Sequence, residues 1–214
     1  TVVGLFGFAL GKKVSHSLTI LGVLIAALGS YVLLFQVLNN GLHYDGSLYT
    51  WLSVGSQTFS VGILVDSLTA MMLTVVTTVS LMVHIYTIGY MAGEDGYTRF
   101  FSYISLFTFM MIMLVMSNNF IQLFFGWEGV GLVSYLLIGF YFKRESAVFA
   151  NLKAFLVNRI GDLGFLLGIG LVYFYFDSFN YADVFAKLST ISGLTFLNTG
   201  WSAITVICLL LFVG

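Results

Sequence analysis

An all-α polytopic transmembrane bundle of about seven spans, the first and last truncated, is the fold that three observations predict. Of 214 residues, 59% are hydrophobic and 8% charged, against about 45–50% apolar and about 25% charged in soluble domains. The apolar residues stand in blocks of about 20, the length of helix that crosses a hydrocarbon core about 30 Å thick. Short polar links separate those blocks, and over such lengths in lipid a helix satisfies its own backbone. There is no proline, so breaks in these helices must come from glycine.

The elements follow in order, with residues 1–214 read as a single transmembrane domain. Thr1–Leu10 reads as the tail of a first span, closed by Gly11, Lys12 and Lys13. The run lacks a basic flank and a small-residue cleavage pattern, so no signal peptide is expected. A chain that opens on Thr1 and stops at Gly214 inside VICLLLFVG reads as a fragment of something longer. A second span covers Val14–Leu38. Residues 39–62 are polar and partly alternating, with SLYTWLSV and TFSVGI around GSQ, the pattern of an extramembrane loop with a β-hairpin. Ile63–Met91 forms a third span, Phe100–Met116 a fourth, and SNN turns the chain into a fifth, Phe120–Phe142. After KRE at 143–145, a sixth runs over Ala147–Phe176. Residues 177–200 make an extramembrane link in which YADVFAKL suits a short amphipathic helix. A seventh span starts near Trp201.

Basic residues order the two sides. Lys12, Lys13, Arg99, Lys143 and Arg144 fall on one side and only Lys187 on the other, which places the 11–13, 92–99 and 143–146 links in the cytoplasm or its equivalent. A net charge of −1 offers nothing to nucleic acid, so partners are sought in the lipid bilayer. The single Cys208 excludes an internal disulfide and a cysteine metal cluster, and no phosphate loop or metal-ligand spacing occurs.

FFGWEGVGLVSYLLIGFY, residues 124–141, is apolar except for Glu128. That acid lies eight residues into its span, about 12 Å along the axis, beyond the reach of snorkelling. A charge so placed costs at least about 2.5 kcal/mol unless neutralised, hydrated or paired. Burial favours the protonated acid and a nearby cation the ionised one; a carboxylate poised between them can exchange a proton when the cation moves. Gly126, Gly129 and Gly131 leave this helix bare, suited to close packing or to local unwinding. In the next span, NRIGD puts Asn158, Arg159 and Asp162 on one side of a helix. Arg159 can pair locally with Asp162, or with Glu128 while Asp162 carries protons. Lys153 falls on the opposite side from Asp162, free to snorkel or to act as a switching carrier. His84 can relay protons or sit at the interface near the end of its span. Read without function, these charges would simply lock helices together.

FFGWEGVGLVSYLLIGFY with KRESA and NLKAFLVNRIGDLGFLLGIG resembles the large antiporter-like subunits of respiratory complex I, the NADH-quinone oxidoreductase subunit L family, in its bacterial form. VSHSLTILGV, DSLTAMMLTVVTTVSLMVHIYTIGYM and YTRFFSYISLFTFMMIMLV extend the resemblance over nearly the whole chain. It implies a proton-translocating translocase subunit of the bacterial inner membrane, partnered by other membrane subunits and driven by electron transfer elsewhere in the complex. It implies FMN, iron–sulfur clusters, NADH and quinone in other subunits, and no cofactor or metal in this chain. Glu128 and Asp162 would be transport residues with Arg159 a charged neighbour, and the family's partner lysine would lie beyond Gly214. Large subunits of multisubunit cation/proton antiporters are the nearest alternative, and a non-transporting scaffold the second.

Overall fold

The computed structural model describes residues 2–55, 57–191, 193–198 and 200–214; expectations touching Thr1, Ser56, Ser192 and Thr199 lie outside them. Among the described residues the chain is helical except for one β-hairpin and the connecting links. The first helical stretch, α1 (Val2–Asn40), is broken at Gly11, where φ is +76°, a conformation open to glycine because it has no Cβ. A Cβ on Gly7 would stand 3.6 Å from the Ser15 hydroxyl, whereas residues eight apart in a straight helix are about 12 Å apart. The chain therefore folds back at Gly11, and residues 11–40 form the first long apolar helix.

Two antiparallel strands follow, β1 (Tyr44–Val54) and β2 (Gln57–Val65), paired from Tyr44–Val65 to Val54–Gln57. Here the expected third span is corrected. Ile63–Val65, apolar enough to begin a helix, belong to β2, and Leu64 N–H donates to Met116 O at 2.9 Å. Asp66 caps α2 (Ser67–Tyr90) by accepting from Thr69 N–H at 2.7 Å. That satisfies one of the donors every helix start leaves open.

Then come α3 (Tyr97–Val115), α4 (Phe120–Ile138, prolonged by a 3₁₀ turn over Gly139–Tyr141) and the 32-residue α5 (Glu145–Phe176). Two short helices, α6 (Tyr181–Ala186) and α7 (Leu188–Ile191), lead to α8 (Ala203–Val213). Among the described residues five helices are long and apolar enough to cross a membrane; α8 is apolar but shorter. Multi-pass membrane insertion follows from those five. Their outward residues, such as Phe149, Ile160 and Phe174, are exposed and apolar, as a lipid-facing or subunit-facing surface requires.

Glycine sets the helix spacing. A Cβ on Gly126 would meet the backbone N and Cα of Leu114 at 2.8 Å, so α4 rests directly on α3. Helix α4 runs unbroken through Gly126, Gly129 and Gly131, and local unwinding there is not seen. On α5, Gly164 and Gly168 admit Val213 and Leu211 of α8. Small residues at such crossings let van der Waals packing bind helices that lipid does not drive together.

Each end of the bundle has its own fastening. At one end, Asn119 caps α4 by accepting from Gln122 N–H at 2.8 Å and donates to Ser60 O; the Gln122 side chain accepts from Gly62 N–H and donates to Gly62 O. Phe120 N–H donates to Phe179 O and Tyr181 N–H to Asn118 O. The SNN turn thus ties both the hairpin and the 177–200 link to α4. Burial pushes the Tyr181 phenol up to about 12, although the Ser117 hydrogen bond pulls the other way. The protonated phenol therefore donates to Ser117 Oγ at 3.1 Å, whose own proton goes to Leu114 O. At the other end, Arg99 donates to Phe140 O and stacks on Phe140, and Lys12 donates to Ala92 O. The links that carry Lys12, Arg99 and Arg144 accordingly share the end opposite the hairpin.

Candidate functional site

The intramembrane charges converge where α4 crosses α5. Arg159 Nη1 donates to Glu128 Oε2 at 2.6 Å, and Arg159 Nη2 stands 3.1 Å from Asp162 Oδ2. Sequence spacing leaves the two pairings as alternatives; the guanidinium makes both. Gly131, one turn beyond Glu128, faces the guanidinium: a Cβ there would sit 3.6 Å from Nη2, an ordinary contact. Phe155, one turn earlier on α5, lies under the guanidinium with 5.1 Å to its ring centre. Asp162 is buried, with a side chain 9% exposed, against 28% for Glu128 and 37% for Arg159.

Trp127 also belongs to the site, a residue that sequence reasoning passes over. Its Nε1–H donates to Asp162 Oδ1 at 3.0 Å, and its ring meets Phe165 edge-on at 5.6 Å. The signal was present in the GWE triplet: a tryptophan inside an apolar, membrane-length span has one N–H that needs a partner away from water. Two carboxylates thus share one guanidinium and one indole. With both acids ionised the group carries one negative charge in excess, so binding a single proton neutralises it. Beside it lies a cavity of about 410 Å³ lined by Trp127, Gly131, Ser134, Asn158 and Asp162 among others, with polar groups enough to hold water.

The other two candidates lie elsewhere. Lys153 is exposed on α5 and, among the described residues, forms no ion pair. His84, expected as a relay or an interfacial residue near the end of its span, is packed inside the bundle. It is fully buried between α2 and α3, with Nδ1 2.8 Å from Ser80 O and Nε2 3.1 Å from Ser105 Oγ. Hydropathy does not reveal which face of an apolar helix is packed. Among the described residues no cluster of three metal-ligating side chains occurs.

Residues 51–101 match the family model described as NADH-Ubiquinone oxidoreductase (complex I), chain 5 N-terminus. Residues 117–214 match the one described as NADH:quinone oxidoreductase/Mrp antiporter, TM. The NADH-quinone oxidoreductase subunit L of Neisseria meningitidis serogroup A is 64% identical over 100% of this chain and 32% of its own length. The NADH-ubiquinone oxidoreductase chain 5 of Dictyostelium citrinum is 43% identical over 100% of this chain and 32% of its own. The chain therefore spans about a third of the length of these curated relatives. Two solved assemblies share its fold at 17% identity, each covering 98% of this chain. One is an archaeal membrane-bound sulfane sulfur reductase (TM-score 0.77, 40% of that chain), the other the Mrp complex of a Dietzia species (0.75, 21%). With both family models matched in sequence along the chain and a relative 64% identical over all of it, the chain belongs to the antiporter-like membrane subunit family of NADH:quinone oxidoreductases and Mrp antiporters, the family that includes subunit L.

Proposed function

We propose that this chain is the part of a bacterial NADH:quinone oxidoreductase subunit L that holds an intramembrane proton site, with Glu128 and Asp162 as proton-exchanging carboxylates and Arg159 as the cation between them. The observation that carries the reading is the guanidinium bridging two carboxylates inside apolar helices. A purely structural lock needs one acid per base; here the second acid adds a charge that costs free energy in lipid unless a proton or another cation arrives. Approach of a further cation favours the ionised acids and its withdrawal favours proton uptake, which makes the cluster a converter of charge movement into proton movement. The adjoining cavity, with Ser134, Asn158 and Asp162 in its lining, is large enough to admit water on that side.

In this reading the complex resides in the bacterial inner membrane among other membrane subunits, with the Lys12, Arg99 and Arg144 end cytoplasmic. FMN, iron–sulfur clusters, NADH and quinone belong to other subunits. The antiporter reading draws on the family description that names Mrp; the 64% identity to a subunit L supports complex I. Glu128→Gln in the intact complex, read as protons moved into sealed vesicles per NADH oxidised, tests the proposal. Loss of pumping in an assembled complex is expected. Unchanged pumping sinks the role of Glu128, and a loss that merely follows the amount assembled favours a scaffold.

A further inference from the structure

Hydroxyls packed around the buried His84 fix almost every proton in its surroundings. Thr108 Oγ1 donates to Ile104 O at 2.9 Å, which leaves its lone pairs to accept from Ser80 Oγ at 2.6 Å. The Ser80 carbonyl, an acceptor only, stands 2.8 Å from His84 Nδ1 and so requires the proton on that nitrogen. One position remains open. Ser105 Oγ has a single proton and two acceptors for it, Phe101 O at 2.8 Å and His84 Nε2 at 3.1 Å.

Two complete hydrogen-bond sets follow, differing by one proton. In the first, imidazole is neutral and Ser105 O–H donates to Nε2. In the second, Nε2 has gained a proton and donates to Ser105 Oγ, whose own proton turns to Phe101 O. Neither set leaves a buried donor idle, although unmet polar groups are what usually forbids a charge change in a dry interior. We infer that His84 is a second proton-holding site, apart from the Glu128 cluster, whose proton is gained and lost at Nε2 as the Ser105 hydroxyl turns between His84 and the Phe101 carbonyl.

A second imidazole packs on the same phenyl ring. Phe101, fully buried, meets the His84 ring at 6.2 Å and the His16 ring of α1 at 6.0 Å. His16 Nδ1 is 3.0 Å from the Tyr97 hydroxyl, and Lys12 lies over the Tyr97 ring. His16, Tyr97 and Lys12 are thus the titratable groups leading from this packing to the basic end of the bundle. Facing His84 itself are Ser80 on its own helix and Ser105 and Phe101 on α3. Further along α2, buried Thr77 and Thr74 bond Ser30 at 2.8 Å and 3.3 Å, so the polar row continues toward the opposite end. In this inference the proton that Nε2 takes is drawn from bulk water and returned to it.

The inference rests on the reading that this chain moves protons, and the test separates the two. His84→Gln, Ser105→Ala, Ser105→Thr and Glu128→Gln are placed singly in the full-length subunit within the intact complex. Translocation in sealed vesicles is followed against pH and normalised to assembled complex. His84→Gln and Ser105→Ala are expected to slow translocation at least about tenfold, short of the roughly 10²–10⁴-fold that a positioned acid–base group contributes in full; Ser105→Thr, which keeps the hydroxyl, restores it. Should His84→Gln fail to assemble, the Ser105 pair decides. Wild-type rates and pH profile in His84→Gln and Ser105→Ala, or no rescue by threonine, overturn the inference. If Glu128→Gln alone is then impaired, only this inference fails; if Glu128→Gln is also unimpaired, the reading beneath it fails too.

Discussion

Asp162 shows how much one side chain's surroundings decide. One of its oxygens accepts from Trp127 and the other faces Arg159, so its two oxygens have different partners. Trp127→Phe keeps an aromatic ring facing Phe165 and removes the donor together with the second ring of the indole. Leaving a buried carboxylate oxygen without its hydrogen bond costs about 1–3 kcal/mol, and a freed Asp162 competes with Glu128 for Arg159. A lowered melting temperature of the intact complex and reduced pumping are expected; an unchanged melting temperature would show that Trp127 does not hold Asp162. At this scale the sequence was partly legible. NRIGD displays an arginine and an aspartate one turn apart, because helical spacing is a local rule. The reach of Arg159 to Glu128 depends on how two helices are registered against each other, which no local pattern encodes.

At the scale of elements, glycine position sorts helix faces. Gly126 lies against the Leu114 backbone, Gly129 against the flexible Met110 side chain, and Gly131 opens toward Arg159. Gly126→Ala is therefore expected to push α3 and α4 apart and destabilise the bundle by about 1–3 kcal/mol, while Gly131→Ala packs without clash. Equal melting temperatures for the two variants would contradict this assignment of faces. Span existence was legible in the sequence, since apolar blocks of membrane length punctuated by polar links admit few other readings. The boundaries were less so. Ile63–Val65 continue the apolar run of α2 in composition, yet they pair with β1, and the sign of the helix start was Asp66, a capping residue. His84 shows the same limit, because a hydropathy profile averages over the faces of a helix and packing chooses among them.

For the whole molecule, the two ends and the middle do different things. Hairpin, SNN turn and the 177–200 link fasten one end through backbone and amide hydrogen bonds; aromatic rings and basic side chains fasten the other. Between them, α4 and α5 hold two acids around one base, and α2 and α3 hold a hydroxyl-lined imidazole. The central claim is that Glu128, Arg159 and Asp162 act as one proton-exchanging unit. Residues that work as a unit lose their function together, so single losses do not add. The most direct measurement is protons moved per NADH oxidised by intact complex carrying Glu128→Gln, Asp162→Asn, or both. The account predicts that each single change lowers the ratio and that the double change is no worse than the worse single one. Independent, additive losses, or a wild-type ratio in either single variant, would contradict it.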